Sequence, residues 1–286
     1  MAGHRLPPAL TPVSADRRYE MFTLRNKDYV TADVQDRIRN TRVLVAGCGL
    51  GSTFAESAVR LGFEKFILVD GDTVAPHNLN RQTYEAVDVN QPKVEALARR
   101  LRAINPDVEI NAVHAYLDEK NTAELVGRAD IVFDTVDFLD LPAIVRLHDE
   151  SRRQGKPIVT ALAAGWGAIA YYFAPHQEVS CRELFGLPAE GSVSQLSYLD
   201  VFKEFLRGIK DKLDPSVLYA VSKALTIMVD GKPCPASQVA PGAFAVGSLA
   251  GAIVYRIVAG LPVKQAPEMI YVNLFDQIAG QKSFEQ

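Results

Sequence analysis

The sequence predicts an α/β fold: a Rossmann-like, mostly parallel sheet with helices on both faces, continued by antiparallel strands. The prediction starts from Arg42–Ala46, a short apolar run rich in β-branched residues, which is typical of a buried parallel strand. A glycine turn at 47–51 follows at once, and apolar residues at helical spacing then run from Thr53 to Leu61. Strand, glycine turn and helix form the first half of a βαβ nucleotide-binding unit.

The same alternation of patterns continues along the chain. Apolar runs predict strands at 66–69, 109–113, 129–134, 157–161 and 168–173. Helical periodicity predicts helices at 29–40, 94–104, 122–126, 143–154 and 242–260. We therefore expect a flexible leader at 1–16 and one domain at 17–286.

Residues 176–240 form a variable region within that domain, with two apolar stripes at helical spacing near 198–209 and 217–225. The stripes fit either a helical hairpin packed on the sheet or a dock for a partner protein. The sequence does not separate these two interpretations.

Composition narrows the classes of protein. The chain has 286 residues, 48% of them hydrophobic, and a formal net charge of −3, which argues against nucleic acid as the main partner. The most apolar stretch, 240–259, is interrupted by Pro241, glycines and Arg256, so we expect no membrane span. The N-terminus lacks the apolar core of a signal peptide, and three cysteines suit a reducing, cytoplasmic setting.

The glycine turn is the first part of a predicted nucleotide site. Gly47, Gly49 and Gly51 let backbone N–H groups approach phosphate oxygens, and the N-terminus of the following helix adds partial positive charge. Asp70 ends the second predicted strand, where a carboxylate typically accepts hydrogen bonds from ribose hydroxyls.

Three further side chains extend the site beyond what a dinucleotide requires. Asn78, Arg81 and Lys93 are the hydrogen-bond donors that a β,γ-phosphate tail needs. Lys93 follows Pro92 at the predicted start of a helix, where phosphates would lie. A dehydrogenase that binds NAD would leave Arg81 and Lys93 without a role.

At these residues the chain resembles the ubiquitin-activating-enzyme-like adenylyltransferases. That superfamily includes the activators of thiamin and molybdopterin sulfur carriers and the core of the ubiquitin E1 enzymes. The resemblance rests on Asp-Gly-Asp-Thr-Val at 70–74, Asn-Leu-Asn-Arg-Gln at 78–82, Gln-Pro-Lys at 91–93 and Ile-Asn-Pro at 104–106.

The resemblance implies a role for each matching residue. Asp70, with Asp72 beside it, would bind the ribose of ATP, and Asn78, Arg81 and Lys93 would contact the triphosphate. Asp137 would hold Mg²⁺, because Asp-Thr-Val-Asp at 134–137 matches the family's Asp-x-x-Asp. A carboxylate beyond the end of a buried strand is also well placed for a hard cation.

The chain departs from the family pattern at four places. The glycine turn is one residue shorter, Phe138 follows Asp137 where the family usually has asparagine, and Met21 replaces an arginine that usually reaches the partner subunit's triphosphate. The paired Cys-x-x-Cys motifs of sulfur-carrier activators are absent. Three cysteines cannot supply a four-thiolate site, so we predict no structural zinc.

Some relatives pass the activated acyl group to a cysteine. Cys234 is the first candidate here, since it lies just before Ala240-Pro241-Gly242, and Cys181 is the second. Cys48, in the glycine turn, is interpreted as a small structural residue. The alternative is that all three thiols are incidental, because adenylation itself needs no thiol.

The resulting hypothesis is an ATP- and Mg²⁺-dependent adenylyltransferase that acts as a homodimer. The resemblance implies that its substrate is the C-terminal glycine of a ubiquitin-like or sulfur-carrier protein. The alternatives are a member similar to the tRNA threonylcarbamoyladenosine dehydratases or acting on a small carboxylate, and a non-catalytic scaffold that binds nucleotide.

Overall fold

The computed structural model describes residues 14–229 and 237–278. Seven strands in this part of the chain form one sheet, in the order β3-β2-β1-β4-β5-β6-β7. The strands are β1 (Arg42–Ala46), β2 (Lys65–Val69), β3 (Glu109–Val113), β4 (Ile131–Asp134), β5 (Ile158–Ala164), β6 (Gly167–Phe173) and β7 (Ile270–Asn273).

The sheet is parallel from β3 to β5 and antiparallel from β5 to β7. Val45 on the central strand β1 pairs with Leu68 of β2 and with Phe133 of β4. The carboxyl ends of these three strands therefore lie together at one edge of the sheet, where ligands bind in folds of this class. The predicted fold class is confirmed.

Helices cover both faces of the sheet. They are α1 (Ala15–Phe22), α2 (Ala32–Asn40), α3 (Gly51–Leu61), α4 (Lys93–Ile104), α5 (Thr122–Gly127), α6 (Leu141–Arg153), α7 (Cys181–Leu184), α8 (Tyr198–Ile209), α9 (Pro215–Val229), α10 (Ala240–Ala259) and α11 (Leu274–Ile278).

The two faces have separate apolar cores. One core joins alternate strand residues such as Val43 and Val45 to α2, α3, α4 and α10. The other joins the intervening residues, such as Leu44 and Ala46, to α5, α6 and the region from α7 to α9. This alternation explains why β1 is a continuous apolar run: both sides of a central parallel strand are buried.

Helix α10 packs unusually close to the sheet. A Cβ added at Gly242 would lie 2.1 Å from the carbonyl oxygen of Gly165, and one at Gly247 would lie 2.6 Å from that of Thr53. By length and composition alone α10 also matches a membrane span. Its buried residues, however, contact α3, β5 and β6, which is the arrangement of a core helix.

The boundaries differ from the sequence predictions in a few places. Helix α1 begins at Ala15, so the last two residues of the predicted leader belong to it. Helix α2 begins at Ala32 rather than Tyr29, because Thr31 has the extended backbone of a cap. The sequence pattern did not predict α1, α7, β7 or α11.

Candidate active site

A cavity of about 950 Å³ opens at the carboxyl ends of β1, β2 and β4. It brings together eight of the residues that the sequence predicted for the site. They are Gly47, Gly49, Asp70, Asp72, Asn78, Arg81, Lys93 and Asp137.

The glycine turn forms one wall of this cavity. Gly47 has a left-handed backbone (φ +85°), and a Cβ there would lie 2.4 Å from the carbonyl oxygen of Thr135. Any larger residue would therefore separate β1 from the loop after β4. Gly51 is buried as the first residue of α3, whose N-terminus points its partial positive charge toward the cavity.

The turn also leaves donors available for an anion. The backbone N–H groups of Gly49 and Leu50 have no hydrogen-bond partner among residues 14–229 and 237–278. Free N–H groups just before a helix are a ready phosphate-binding site. The turn can thus cradle phosphate although it is shorter than the family pattern.

Asp70 is held in place by backbone donors. Its carboxylate accepts a hydrogen bond of 2.7 Å from the N–H of Cys48 and one of 2.8 Å from the N–H of Asp72. Burial raises the pKa of Asp70, although Lys93 opposes that rise. The carboxylate keeps lone pairs for further donors, as binding of a ribose requires.

Lys93 is the first residue of α4, which begins one residue before the predicted 94–104, and its side chain is largely buried. Its Nζ lies 2.7 Å from Asp72 Oδ2 and 4.0 Å from Asp70 Oδ2. Tyr116 donates a second hydrogen bond of 2.7 Å to Asp72. Although burial opposes ionisation, the bonds from Lys93 and Tyr116 hold the pKa of Asp72 below its usual value.

Arg81 lies across the cavity and is held by its neighbours. Its Nε donates to the side chain of Gln238, and its Nη1 donates to the carbonyl oxygen of His77 at 2.8 Å. Asn78 accepts a hydrogen bond of 2.9 Å from the N–H of Ala75, so it shapes this loop as well as lining the cavity. Burial lowers the pKa of Arg81, but a guanidinium remains charged.

Asp137 lies exposed in the loop between β4 and α6, where it lines the cavity. Its Oδ1 accepts a hydrogen bond of 3.0 Å from the N–H of Leu139, and its Oδ2 has no hydrogen-bond partner within residues 14–229 and 237–278.

A buried cluster supports that loop from below. Asp134 Oδ2 lies 3.1 Å from Nε2 of His148 and accepts a hydrogen bond of 2.9 Å from Thr160. Burial alone would lower the pKa of His148, but contacts with Cys181 and Asp134 raise it to about 10. These contacts favour the protonated form of His148, which pairs with Asp134 beneath the loop that carries Asp137.

The three cysteines differ in position. Cys234, the first candidate nucleophile, lies outside the described residues. Cys48 and Cys181 are buried and unbridged. Burial raises the pKa of Cys48 well above its usual value, which disfavours the thiolate and agrees with a structural role. Cys181, the second candidate, contacts His148 inside the core.

Several residues of the site carried no sequence signal that we interpreted. Tyr116, Gln238 and His148 belong to no predicted motif, but each contacts a residue that does. Tyr116 bonds to Asp72, Gln238 to Arg81, and His148 lies against Asp134. Helices α8 and α9 also line the cavity, so the region at 198–225 contributes to the site itself.

Comparison with known proteins agrees with this geometry. A family model described as the ThiF family matches residues 24–284. The chain belongs to the ThiF family.

Individual relatives in this family match over part of their length. Over 134 residues the chain is 36% identical to the SAMP-activating enzyme E1 of Haloferax volcanii, covering 46% of this chain and 49% of that protein. Over 156 residues it is 29% identical to the sulfur carrier protein ThiS adenylyltransferase of Escherichia coli, covering 54% and 61%. The chain thus spans roughly half the length of these curated relatives.

The fold is also similar to that of solved structures. A crystal structure of Escherichia coli MccB with ATP has a TM-score of 0.63 to this chain at 19% identity, covering 91% of this chain and 72% of MccB. At that identity the likeness shows the fold alone.

Proposed function

We propose that this protein uses ATP to activate a carboxylate as an acyl adenylate. One observation carries the proposal: a single cavity contains the glycine turn, the Asp70 carboxylate, the cations Arg81 and Lys93, and Asp137. A dinucleotide site needs the first two features, whereas the cations and the exposed carboxylate suit a triphosphate with its metal ion. The names of the relatives, among them an adenylyltransferase, support the same activity.

In the proposed reaction a carboxylate oxygen of the substrate attacks the α-phosphorus of ATP. A new acyl–O–P bond forms, the bond from the α-phosphorus to the β-phosphate breaks, and pyrophosphate leaves with the electron pair. No proton transfer is needed. The protein contributes orientation and neutralisation of charge.

In this proposal, different residues of the chain orient the substrates and neutralise their charge. Asp70 binds the ribose, and the glycine turn and the N-terminus of α3 bind phosphate oxygens. Lys93 exchanges its ion pair with Asp72 for the phosphates, and Arg81 turns from Gln238 toward the pyrophosphate. Both cations are already held at the cavity wall, so little side-chain entropy is lost when they bind.

Mg²⁺ fits the donors present. Mg²⁺ usually binds one or two carboxylates and completes its shell with water and substrate phosphates. Within residues 14–229 and 237–278 no group of three His, Cys, Asp or Glu side chains is placed to enclose a metal. Asp137 would therefore hold the ion together with the triphosphate, and the ion would neutralise phosphate charge.

The resemblance and the relatives favour the C-terminal glycine of a ubiquitin-like or sulfur-carrier protein as the substrate. The first experiment is ATP–pyrophosphate exchange with Mg²⁺ and a panel of such proteins. Exchange that falls at least about 100-fold in Asp137→Asn, but not in Asp28→Asn on the exposed N-terminal surface, supports the proposal.

The same experiment separates the alternatives. Bound ATP without exchange for any carboxylate would contradict adenylation and leave the scaffold hypothesis.

The homodimer and a thioester to Cys234 stay predictions, to be tested by light scattering and by trapping a thiol-sensitive adduct.

A further inference from the structure

Besides the nucleotide residues, the cavity is lined by a group of apolar side chains, and we call the space beside them the apolar chamber. It is lined by Phe138, Phe202, Leu206, Val221, Ala224 and Leu225. At about 950 Å³ the whole cavity is at the upper end of the range of roughly 300–1,000 Å³ for small-molecule sites. The residues that suit ATP lie at one end of the cavity. The apolar chamber is therefore available for the body of the carboxylate substrate.

The chamber has no charged wall. The charged residues that line the cavity lie at 70–93 and 134–140, and none of the described lining residues on α8 or α9 is charged. A polar or charged substrate body would lose its hydration there without gaining partners, which is costly. An apolar body would instead gain from leaving water.

Helix α9 presents its apolar stripe to this space. Val217, Val221, Ala224 and Met228 recur at helical spacing and all line the cavity. Val217 is buried and Val221 packs against the same core, whereas Ala224 and Met228 are half-buried and line the cavity. The opposite side of the helix carries exposed residues such as Ser222 and Lys223.

Phe138 connects the chamber to the reacting end. It follows Asp137 directly, and its ring lies 5.1 Å from that of Phe202 and 5.5 Å from that of Phe185, measured between centroids. The first atoms beyond a carboxylate at the nucleotide end of the cavity would therefore meet an aromatic wall.

We infer that the substrate is a carboxylate with a bulky apolar body, which occupies the apolar chamber while its carboxylate lies at the nucleotide end of the cavity. The inference rests on the proposed adenylation, and it assigns a bulkier apolar substrate in place of the glycine-ended protein that the resemblance favours. Phe138 and Ala224 then determine specificity against small glycine-ended tails. Affinity rises roughly fourfold for each methylene buried, until the chamber is filled.

A binding experiment tests the chamber independently of catalysis. The probe is 11-(dansylamino)undecanoate, a fluorescent apolar carboxylate, titrated into ATP-loaded protein. We expect Ala224→Phe, which fills the chamber, to raise the dissociation constant at least tenfold. Ser222→Phe places the same side chain on the exposed side of the same helix and should leave the dissociation constant unchanged.

Competition against the probe tests the dependence on apolar size and the source of the carboxylate. Inhibition constants for butyrate, hexanoate, octanoate and decanoate should fall steeply along the series. The inhibition constants of acetyl-leucyl-phenylalanine and acetyl-glycyl-glycine are compared in the same way. A lower constant for the first peptide would show that an apolar peptide terminus also enters the apolar chamber.

Two sets of outcomes are distinguishable. Probe binding that Ala224→Phe does not weaken, or inhibition constants independent of chain length, would overturn the inference. Efficient exchange with glycine-tailed proteins that survives Ala224→Phe would overturn it too. Binding that behaves as expected, with no pyrophosphate exchange for any carboxylate, would support the chamber and refute adenylation.

Discussion

Replacing His148 by glutamine should destabilise the protein strongly, although His148 touches no predicted substrate. His148 is buried, and its imidazolium is paired with Asp134. Removing one partner of a buried ion pair leaves the other charge uncompensated, which costs about 3–5 kcal/mol. Although burial opposes it, the pKa of His148 is raised to about 10 by its contacts with Cys181 and Asp134, in the direction expected for a paired imidazolium.

The stabilisation by His148 should also depend on pH. A histidine whose folded pKa is raised stabilises the fold fully below its unfolded pKa, near 6.5, and loses that effect as the pH rises through about 10. Between pH 6.5 and 9.5 the difference in unfolding free energy between wild type and His148→Gln should narrow by about 3 kcal/mol.

Urea unfolding followed by far-UV circular dichroism at both pH values measures these differences. His176→Asn is the matched control, because His176 is exposed and has a left-handed backbone that asparagine tolerates. The control should stay within about 0.5 kcal/mol of wild type. A His148→Gln cost below about 1 kcal/mol, or one that does not change with pH, would refute the buried imidazolium.

Three further outcomes follow from the site and its helices. Lys93→Ala should lower kcat/KM in pyrophosphate exchange at least about 100-fold, because a phosphate contact is lost. The control Lys120→Ala, at an exposed lysine, should keep the wild-type value. Equal kcat/KM values for the two variants would contradict the role assigned to Lys93. Gly47→Ala should abolish ATP binding in equilibrium dialysis, since its Cβ would overlap Thr135, and retained binding would show that the turn can rearrange. Gly208→Ala has open space within α8 and should raise the unfolding free energy by about 0.5–1 kcal/mol in urea; a loss would contradict its open surroundings.

The sequence predicted those parts of the site whose residues lie close together along the chain. The strand β1, the glycine turn and Asp70 follow one another closely, so their pattern is visible without knowing the fold. Asn78, Arg81 and Lys93 were predicted from the donors that a triphosphate needs and again by resemblance, and all three line the same cavity.

The remaining features depend on contacts between distant segments. Gln238 bonds to Arg81 across 157 positions of sequence, and no spacing rule connects the two residues. Strand β7 forms because β6 offers it an edge, as the register of Ile169 with Tyr271 shows. The buried pair of His148 and Asp134 joins α6 to the end of β4, fourteen positions apart in sequence, and no pattern that we interpreted connects these two residues.

The close packing of α10 has a consequence for the order in which this protein can mature during synthesis. Thr53 of α3 donates a hydrogen bond of 2.9 Å to the carbonyl oxygen of Ala243, and Gln238, just before α10, holds Arg81. The motifs near the N-terminus therefore leave the ribosome long before the segment that completes their pocket. Until α10 has emerged, α3 exposes the apolar side that α10 will cover, so the nascent chain carries every phosphate-binding residue without yet having the finished pocket.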